Sequence, residues 1–419
     1  MTLPSSHIWL LSAPALLAGL LVWQATAPGI GVSADSVQYL AAAESFRAGH
    51  GLMVPYGQAH PVWMQQFPGL FPIVLAIGIP PRVLQCLLAM ATVLLVAIGG
   101  WRESGSVRAG VLAGAVVAGW PHFVTTHGVV LSEPLFLTLL VGGWLALREG
   151  YRRLGMVLTG LGAAARFVGV GAIRGGWLGL APLALSMAAA RVMGGAATNR
   201  AFGYHPLGAD GIAAVAVLAG FVLWGRRNLA ASMAAGLLGV LVFSRLFVDA
   251  AIEFEPRHLL PILVLGVLAA SRYAPWPVWA VALAAVWWLP RVPVGREHNH
   301  PRWAQSETLA RVRALPAGTR ILSHGADLVY YQTRRAAEWA PVRTGYFDGR
   351  ARPDWCLALR ERTPAALVFF DALEDRGSFA VRDQDVPECL SGAKRSRLAD
   401  GVLYSAENVL GLERAREAR

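Results

Sequence analysis

The sequence is short of charged residues and of cysteines. Only 15% of its 419 residues are charged, whereas a soluble globular domain usually has about a quarter. None of the three cysteines belongs to a CxxC pair, which argues against a structural zinc site. The net charge of +11 comes from scattered arginines and not from basic blocks with interleaved aromatic residues, so we predict no binding of nucleic acid.

Long apolar segments take the place of the missing charges. The chain is 55% hydrophobic, with a mean hydropathy of +0.47. A transmembrane helix needs about 20 mostly apolar residues, and this pattern predicts a mainly α-helical, polytopic membrane domain of about ten spans. Several of the segments are shorter than the full length. The predicted spans are 8–27, 82–101, 107–123, 134–147, 154–173, 177–197, 211–224, 229–248, 258–270 and 276–289.

The first apolar segment also has one feature of a secretory signal peptide. It ends in Ala25-Thr26-Ala27, a small-residue pattern that signal peptidases cleave. However, no Lys or Arg precedes the segment, the apolar run is long, and Pro28 follows the possible cleavage point. We therefore predict an uncleaved first transmembrane helix.

Residues 291–419 differ in character from residues 1–290. Charged residues become frequent, and the short apolar runs TRILSH, ALVFFDA and GVLYSA are typical of buried strands between helices. We therefore predict a membrane domain over 1–290 and a small soluble α/β domain over 291–419. If the second domain lies outside the cytoplasm, Cys356 and Cys389 could form a disulfide, and two buried free thiols are the alternative.

The arginines between the apolar segments indicate an orientation. Loops around Arg102 and Arg148 are positively charged and are expected in the cytoplasm, whereas the loop WPHFVTTHGVVLSE has no Lys or Arg. Asp35 and the C-terminal domain are then extracytoplasmic. Counts from the two ends of the chain disagree across 154–197, so we expect an odd number of crossings there, with one broken segment.

A lone carboxylate, Asp35, opens the segment that follows the first predicted span, VSADSVQYLAAAESFRAGHG. One interpretation is structural: Asp35 caps a short amphipathic helix on the membrane surface, and Gln38 completes a capping box. A similar pattern, Ser132-Glu133-Pro134, predicts an N-cap at the start of a later helix. The other interpretation gives Asp35 a chemical role, which depends on the segments farther along the chain.

Six segments occur in an order that is typical of one group of membrane enzymes. They are ADSVQYLAAAESFRAGHGL, FPGLFPIVLA, LSEPLFLTLLVGGWLAL, AARFVGV, NRAFGYHP and EPRHLLPILVLGVLA. Together they resemble the GT-C membrane glycosyltransferases, and within these the proteins similar to dolichyl-phosphate-mannose protein mannosyltransferases and bacterial aminoarabinose transferases. The resemblance covers most of residues 1–290. The interval between the fourth and fifth segments is shorter than in relatives, which would fit a reduced cavity or a loss of activity.

The resemblance implies a transferase reaction at the outer face of a membrane, which in this case is expected to be the bacterial inner membrane. A sugar passes from a polyprenyl-phosphate donor to the hydroxyl of an acceptor lipid, glycan or protein, with inversion, and no cofactor or metal ion is expected. In such enzymes an acid in the first external loop is the usual catalytic base, and Asp35 holds that place here. Many relatives have a second acid beside it, where this chain has Ser36.

The same chemistry explains why basic residues are needed. A carboxylate near the acceptor hydroxyl takes its proton as the new bond forms, and the departing lipid phosphate is stabilised by cations. Each basic residue could instead be an ordinary flanking charge or a snorkelling side chain. Our candidates are Arg166, Arg200, Arg257 and His258 for the donor phosphate, and Tyr39, His60 and Gln66 for the substrate.

Two other functional classes are compatible with such an apolar chain. A transporter or flippase of a lipid-linked solute would be expected to show repeated halves and ionisable groups at mid-membrane, and we find no internal repeat in the sequence. A non-catalytic membrane protein would bind a partner through its C-terminal domain. The substitution Asp35→Asn separates these classes, because only a transferase depends on a base.

Overall fold

The chain has a mainly helical part followed by a mixed β-sheet, as the sequence predicts. The computed structural model describes residues 5–64, 67–173, 209–225, 228–247, 255–289, 293–344, 351–362, 366–373, 381, 383–390 and 393–405. Two compact units are present. The first unit consists of Met1–Leu52 and Met64–Glu297, and the second unit consists of Met53–Trp63 and His298–Arg419.

The described part of the first unit is built from helices. They are α1 (Ser5–Ala25), α2 (Ala34–Arg47), α3 (Leu70–Ala76), α4 (Pro81–Ser104), α5 (Val107–Gly119), α6 (Pro121–His127), α7 (Glu133–Arg148), α8 (Arg152–Ala165), a 3-10 helix (Phe167–Ala172), α9 (Ala209–Gly225), α10 (Leu229–Phe247), α11 (Pro256–Ser271) and α12 (Trp276–Trp288). These helices lie close to the apolar segments found in the sequence.

Proline and glycine set the ends of the longest helix, α4. Pro81 occupies its first position, where the missing backbone N–H costs no intrahelical hydrogen bond. Gly105 ends the helix in the left-handed region, with φ of 70°. Ser106 then caps α5 by accepting a hydrogen bond from the backbone N–H of Ala109. The two helices pack so closely that a Cβ added at Gly110 would lie 2.5 Å from the backbone oxygen of Ala97.

The prediction of about ten membrane spans is wrong for the described residues. Two helices, His7–Ala25 and Pro81–Ser104, are long and apolar enough to cross a membrane, and α5 and α6 could form a third span although they are bent by 64°. The hydropathy criterion depends on the number of apolar residues and does not test how long each helix is. Pro121 breaks the helix predicted over 107–123, because it lacks a backbone N–H. Four shorter apolar helices are Ala213–Gly225, Leu229–Arg245, Pro256–Ser271 and Trp276–Trp288.

The predicted irregular region 154–197 is interrupted at Arg166. Helix α8 ends at Ala165, Arg166 has an extended backbone, and the chain continues as a 3-10 helix. The span predicted over 177–197 lies outside the described residues. The interruption therefore falls within the region 154–197, where the sequence predicted one broken segment.

A five-stranded mixed sheet forms the centre of the second unit. Its order is β4-β3-β5-β7-β6, with β4, β3 and β5 parallel and β7 and β6 antiparallel to their neighbours. The three strands predicted from the sequence correspond to β3, β5 and β7, which are almost wholly buried. The strands are β3 (Ile321–Ser323), β4 (Glu338–Trp339), β5 (Ala366–Phe370), β6 (Lys394–Leu398) and β7 (Gly401–Ser405).

A disulfide stabilises this unit. Cys356 and Cys389 are bonded, with their Cα atoms 5.4 Å apart, so the alternative of two free thiols is wrong. The bond joins helix α15 (Trp355–Glu361) to the short helix α16 (Val386–Cys389), beside the core formed by Leu322, Leu367 and Val402. Because it closes a loop with a sequence separation of 33, its chain-entropy contribution is about 4 kcal/mol. The other described helices of this unit are α13 (Glu307–Ala314), α14 (Ala326–Thr333) and the 3-10 helices Pro301–Gln305 and Asp383–Asp385.

The second unit also contains an excursion from the N-terminal half, Met53–Trp63, which the sequence-based boundary at 290/291 did not anticipate. Strands β1 (Met53–Val54) and β2 (Val62–Trp63) pair within it. The backbone N–H of Gly57 donates to the backbone oxygen of Ala337 over 2.7 Å, which extends the edge of the sheet at β4. Gly57 is required there because its φ is +89° and a Cβ would lie 2.7 Å from Trp339 Nε1.

Candidate functional site

Asp35 lies in the first turn of α2, but it is not the cap of that helix. Ser33 is the N-cap, and a capping box joins it to Ser36: the Ser33 side chain accepts from the Ser36 backbone N–H, and the Ser36 hydroxyl accepts from the Ser33 backbone N–H over 2.9 Å. The predicted capping box between Asp35 and Gln38 is therefore wrong, because the box is formed two residues earlier, by Ser33 and Ser36. The Asp35 carboxylate is thus not the group that caps this helix.

Arg257 brings a guanidinium to this carboxylate from α11. Its Nη1 lies 3.8 Å from Asp35 Oδ2, and its Nε lies 2.6 Å from Glu255 Oε2. The side chains of Arg257 and Asp35 are 36% and 34% exposed, respectively. A pair this open to solvent contributes at most about 1 kcal/mol to stability. The contact is therefore loose enough for either group to exchange it for a bound molecule.

A second acid–base pair lies in the same part of the first unit. Glu133, the first residue of α7, is 3% exposed, and its Oε1 lies 2.5 Å from Arg166 Nη1. Arg257 and His258 also act electrostatically on Glu133. A carboxylate buried to this degree is retained only where cations and hydrogen bonds replace its hydration. Glu133 therefore needs Arg166 as a partner in the folded protein, and the contact between them is not an incidental surface contact.

A hydroxyl pair links the two carboxylate regions. Ser132 holds the N-cap position of α7 and Pro134 follows early in that helix, as predicted, but the Ser132 side chain accepts no capping hydrogen bond from the described backbone N–H groups. Its Oγ instead lies 3.1 Å from the Tyr39 hydroxyl on α2, and it donates to Glu133 Oε2 over 3.4 Å. Hydrogen bonding to Tyr39 and Glu133 therefore replaces capping as the role of this side chain.

Tyr39 is buried in an aromatic pocket and does not lie at the surface. It is 1% exposed, and its ring contacts those of Phe67 and Phe71 with centroid distances of 4.9 Å and 5.1 Å. Burial, with the negative charge of Asp35 as a second cause, raises the pKa of the Tyr39 phenol, so this hydroxyl stays protonated. The substrate contact that we expected of Tyr39 remains a prediction, whereas its contact with Ser132 is part of the fold.

The other candidate residues divide into three groups. His258 follows Arg257 at the start of α11 and belongs to the same charged cluster. His60 is exposed and belongs to the second unit. Arg200 and Gln66 lie outside the described residues. Within the described part of the chain, the structure therefore groups Asp35, Arg166, Arg257 and His258.

Two acids of this cluster, Glu133 and Glu255, were missed as site residues by the sequence analysis. Glu133 precedes a proline and was interpreted as part of a helix start. One signal could have identified it: an arginine among apolar residues, such as Arg166, needs a counter-ion, and Glu133 is an acid at the edge of a neighbouring apolar segment. The groups available for chemistry are thus carboxylates, guanidiniums and an imidazole. Among the described residues, no group of three or more His, Cys, Asp or Glu side chains could hold a metal ion.

These charged residues lie at the starts of α2, α7 and α11 and at the break after α8. Partly exposed Asp35 can accept a proton, and the arginines can bind an anion through charge-assisted hydrogen bonds. Compared with models of protein families, with curated proteins and with solved structures, the chain matches none.

Proposed function

We propose that the protein is a membrane glycosyltransferase that moves a sugar from a polyprenyl-phosphate donor to an acceptor hydroxyl, with inversion. The observation that carries the proposal is the position of Asp35: a third exposed, 3.8 Å from Arg257, at the start of a helix that follows a long apolar helix. An acid and a cation are thus available side by side. The resemblance of the six sequence segments to GT-C enzymes supports the same reaction.

The proposed reaction needs one base and a stabilised leaving group. Asp35 takes the proton of the acceptor hydroxyl. At the same time the acceptor oxygen forms a bond to the sugar C1, and the bond from C1 to the phosphate oxygen breaks. The electron pair of that bond leaves with the lipid phosphate. A direct displacement inverts C1 and requires no second carboxylate as nucleophile.

Arg257 would stabilise negative charge on Asp35 before sugar transfer and on the lipid phosphate after it. Before transfer it faces the ionised Asp35, and after transfer Asp35 is protonated while the phosphate has gained negative charge. Its stronger contact, 2.6 Å to Glu255, holds the guanidinium in place while the 3.8 Å contact to Asp35 is exchanged. A guanidinium has more N–H donors than these two contacts use, so phosphate oxygens can be bound as well.

The proposed location is the bacterial inner membrane, with several crossings and the second unit outside the cytoplasm. Two helices, or three with the bent pair, could be spans among the described residues. The disulfide between Cys356 and Cys389 is typical of oxidising compartments outside the cytoplasm. The donor's prenyl chain would remain in the lipid, with its phosphate at the outer boundary.

Asp35→Asn tests the function. Purified protein is incubated with a panel of radiolabelled polyprenyl-phosphate sugars and membrane extract, and sugar transfer to any acceptor is measured. We expect Asp35→Asn to lower turnover by about a hundredfold or more, because the amide cannot accept the proton. Glu44→Gln is the matched control, since Glu44 is an exposed acid on the same helix, and its turnover should equal that of the wild type.

Two results would contradict the proposal. Transfer by Asp35→Asn at the wild-type rate would show that this acid is not the base. Failure of the wild-type protein to transfer sugar from any donor in the panel would favour a transporter or a non-catalytic protein.

A further inference from the structure

The buried carboxylate of Glu133 has no part in the reaction described above. We propose that Glu133 is a positioning residue, which holds Arg166 in the orientation that binds the donor phosphate. This inference rests on the proposed function, and it adds a residue that neither touches the substrate nor takes a proton.

The contact between the two residues is short, and their exposures differ. Glu133 Oε1 lies 2.5 Å from Arg166 Nη1, with 3% of the Glu133 side chain exposed against 22% for Arg166. The acid is therefore enclosed by protein, whereas part of the arginine side chain is open to solvent. A bound anion can approach the arginine but is screened from the acid.

The orientation of the Arg166 side chain depends on this contact, because the backbone at this position does not fix it. It stands between the end of α8 and the 3-10 helix, in an extended conformation. A long basic side chain at such a junction is free to extend towards solvent unless a partner holds it. Glu133 supplies that partner from the first turn of α7.

The same carboxylate is tied to the helix that carries the proposed base. Ser132 Oγ donates to Glu133 Oε2 over 3.4 Å and lies 3.1 Å from the hydroxyl of Tyr39, one turn after Asp35 on α2. Tyr39 is in turn fixed by its aromatic neighbours. A buried and connected network of this kind holds its members in one arrangement. The base and the cation are therefore positioned by one set of contacts.

The charges around Glu133 decide whether its neutralisation strengthens or weakens binding of the donor phosphate. A carboxylate close to a phosphate site would by itself repel the donor, so neutralising it could strengthen binding. Here, however, the charge of Glu133 is offset by Arg166 at 2.5 Å and by the nearby Arg257 and His258. Removing it releases Arg166 to solvent, and we expect the loss of a positioned guanidinium to outweigh the loss of repulsion.

Binding of a polyprenyl phosphate to the full chain in lipid nanodiscs tests the inference without any turnover. We expect Glu133→Gln to weaken binding about tenfold, the size of one charge-assisted hydrogen bond. Arg166→Gln should weaken binding by a similar factor. The double variant should bind no more weakly than Arg166→Gln alone, because Glu133 acts only through Arg166.

The matched control is Glu103→Gln. Glu103 also pairs with an arginine: its Oε1 lies 2.6 Å from Nε of Arg148, the last residue of α7. The Glu103 side chain is 14% exposed. Its loss should lower thermal stability but leave phosphate binding unchanged. A general effect of breaking an ion pair would weaken binding in both variants.

Additive losses in the double variant, tighter binding by Glu133→Gln, or equal losses in Glu133→Gln and Glu103→Gln would each overturn the inference. If Glu133→Gln does not fold, Glu133→Asp replaces it in the same cycle, since it retains the charge with a shorter reach. Failure of the proposed function is seen separately, as absence of sugar transfer by a wild-type protein that still binds the phosphate. Absence of wild-type binding would overturn this inference as well.

Discussion

At the scale of single residues, the charged side chains of this protein work in pairs whose strength follows their burial. In the pair of Glu133 and Arg166 the acid is enclosed, whereas Asp35 and Arg257 meet over 3.8 Å with a third of each side chain exposed. Removing one member of an enclosed pair leaves an uncompensated charge, which is costly. An open pair exchanges partners at little cost. This contrast is why the open pair suits chemistry and the enclosed pair suits positioning.

A residue-scale prediction concerns Asp383 in the second unit. Its carboxylate accepts hydrogen bonds from Arg395 Nη2 over 2.7 Å and from the Tyr404 hydroxyl over 2.6 Å. The hydrogen bond from Arg395 is the largest cause that holds the pKa of Asp383 below its usual value. Stability from the ionised group is therefore present at neutral pH and is lost as the pH falls through this lowered pKa.

Asp383→Asn should destabilise the edge strand Lys394–Leu398 by about 0.5–1 kcal/mol at pH 7, in line with a partly exposed pair. The difference from the wild type should shrink as the pH falls below about 4, where an aspartate in an unfolded chain is protonated. Hydrogen exchange of the strand's backbone amides, corrected for intrinsic exchange at each pH, measures both effects. Asp371→Asn is the control, because among the described residues the Asp371 carboxylate accepts from Arg397 alone, in a more exposed pair. A difference that grows towards low pH would contradict the prediction.

Which site residues could be found from the sequence depended on their surroundings. Asp35 was found because an acid next to a long apolar segment is unusual, and Arg166 because an arginine among apolar residues is costly. Glu133 was interpreted as part of a helix start, because one sequence does not show which acid folds back onto an arginine 33 positions later. The burial of Tyr39 is a tertiary fact, set by aromatic rings from another helix and a loop.

At the scale of the elements, close backbone contacts place the segment that carries Arg166. The 3-10 helix that follows it packs against α10, where a Cβ added at Gly236 would overlap the backbone oxygen of Gly171. Only glycine allows this approach. The positions of these two glycines therefore determine how near α10 comes to the end of α8.

Gly236→Ala should destabilise the protein by about 1–3 kcal/mol, because the added methyl group forces two backbones apart. Gly220→Ala is the control: it lies in the neighbouring α9, where an added Cβ meets no atom of the described residues within 4 Å. That change should instead stabilise the helix by about 0.5–1 kcal/mol. Thermal unfolding of the two variants in the same detergent measures the difference. Equal melting temperatures would show that the contact at Gly236 is not a tight one.

Helix positions could be predicted from the sequence better than helix continuity. Runs of apolar residues locate α1, α4 and α7 to within a few residues, because each run lies between clear breaks. It does not show that the apolar run 107–123 is bent at Pro121. Short apolar runs satisfy a composition test whether or not the chain stays helical across them, and this is why ten spans were counted.

At the scale of the whole molecule, the excursion Met53–Trp63 shows that domain boundaries need not be single points in the sequence. This segment leaves the first unit after α2 and pairs with the edge of the sheet formed near the C-terminus. A change of composition at 290/291 marks where a soluble character begins, but it cannot reveal a hairpin contributed from more than 200 residues earlier. Such pairing depends on edge strand β4 and on the positive φ of Gly57, both of which are tertiary features.

The side of the membrane on which the second unit lies can be tested through its disulfide. In the wild-type protein Cys356 and Cys389 are bonded to each other, and the free Cys86 is buried. Cys389→Ser leaves Cys356, which is half-buried, as a free thiol. If this unit is extracytoplasmic, a membrane-impermeant maleimide added to intact cells at about pH 8, near the usual thiol pKa, should label Cys389→Ser. The wild type and the variant with both cysteines replaced by serine should remain unlabelled. Labelling that requires permeabilised cells would place the thiol in the cytoplasm and would remove the disulfide as support for the proposed location.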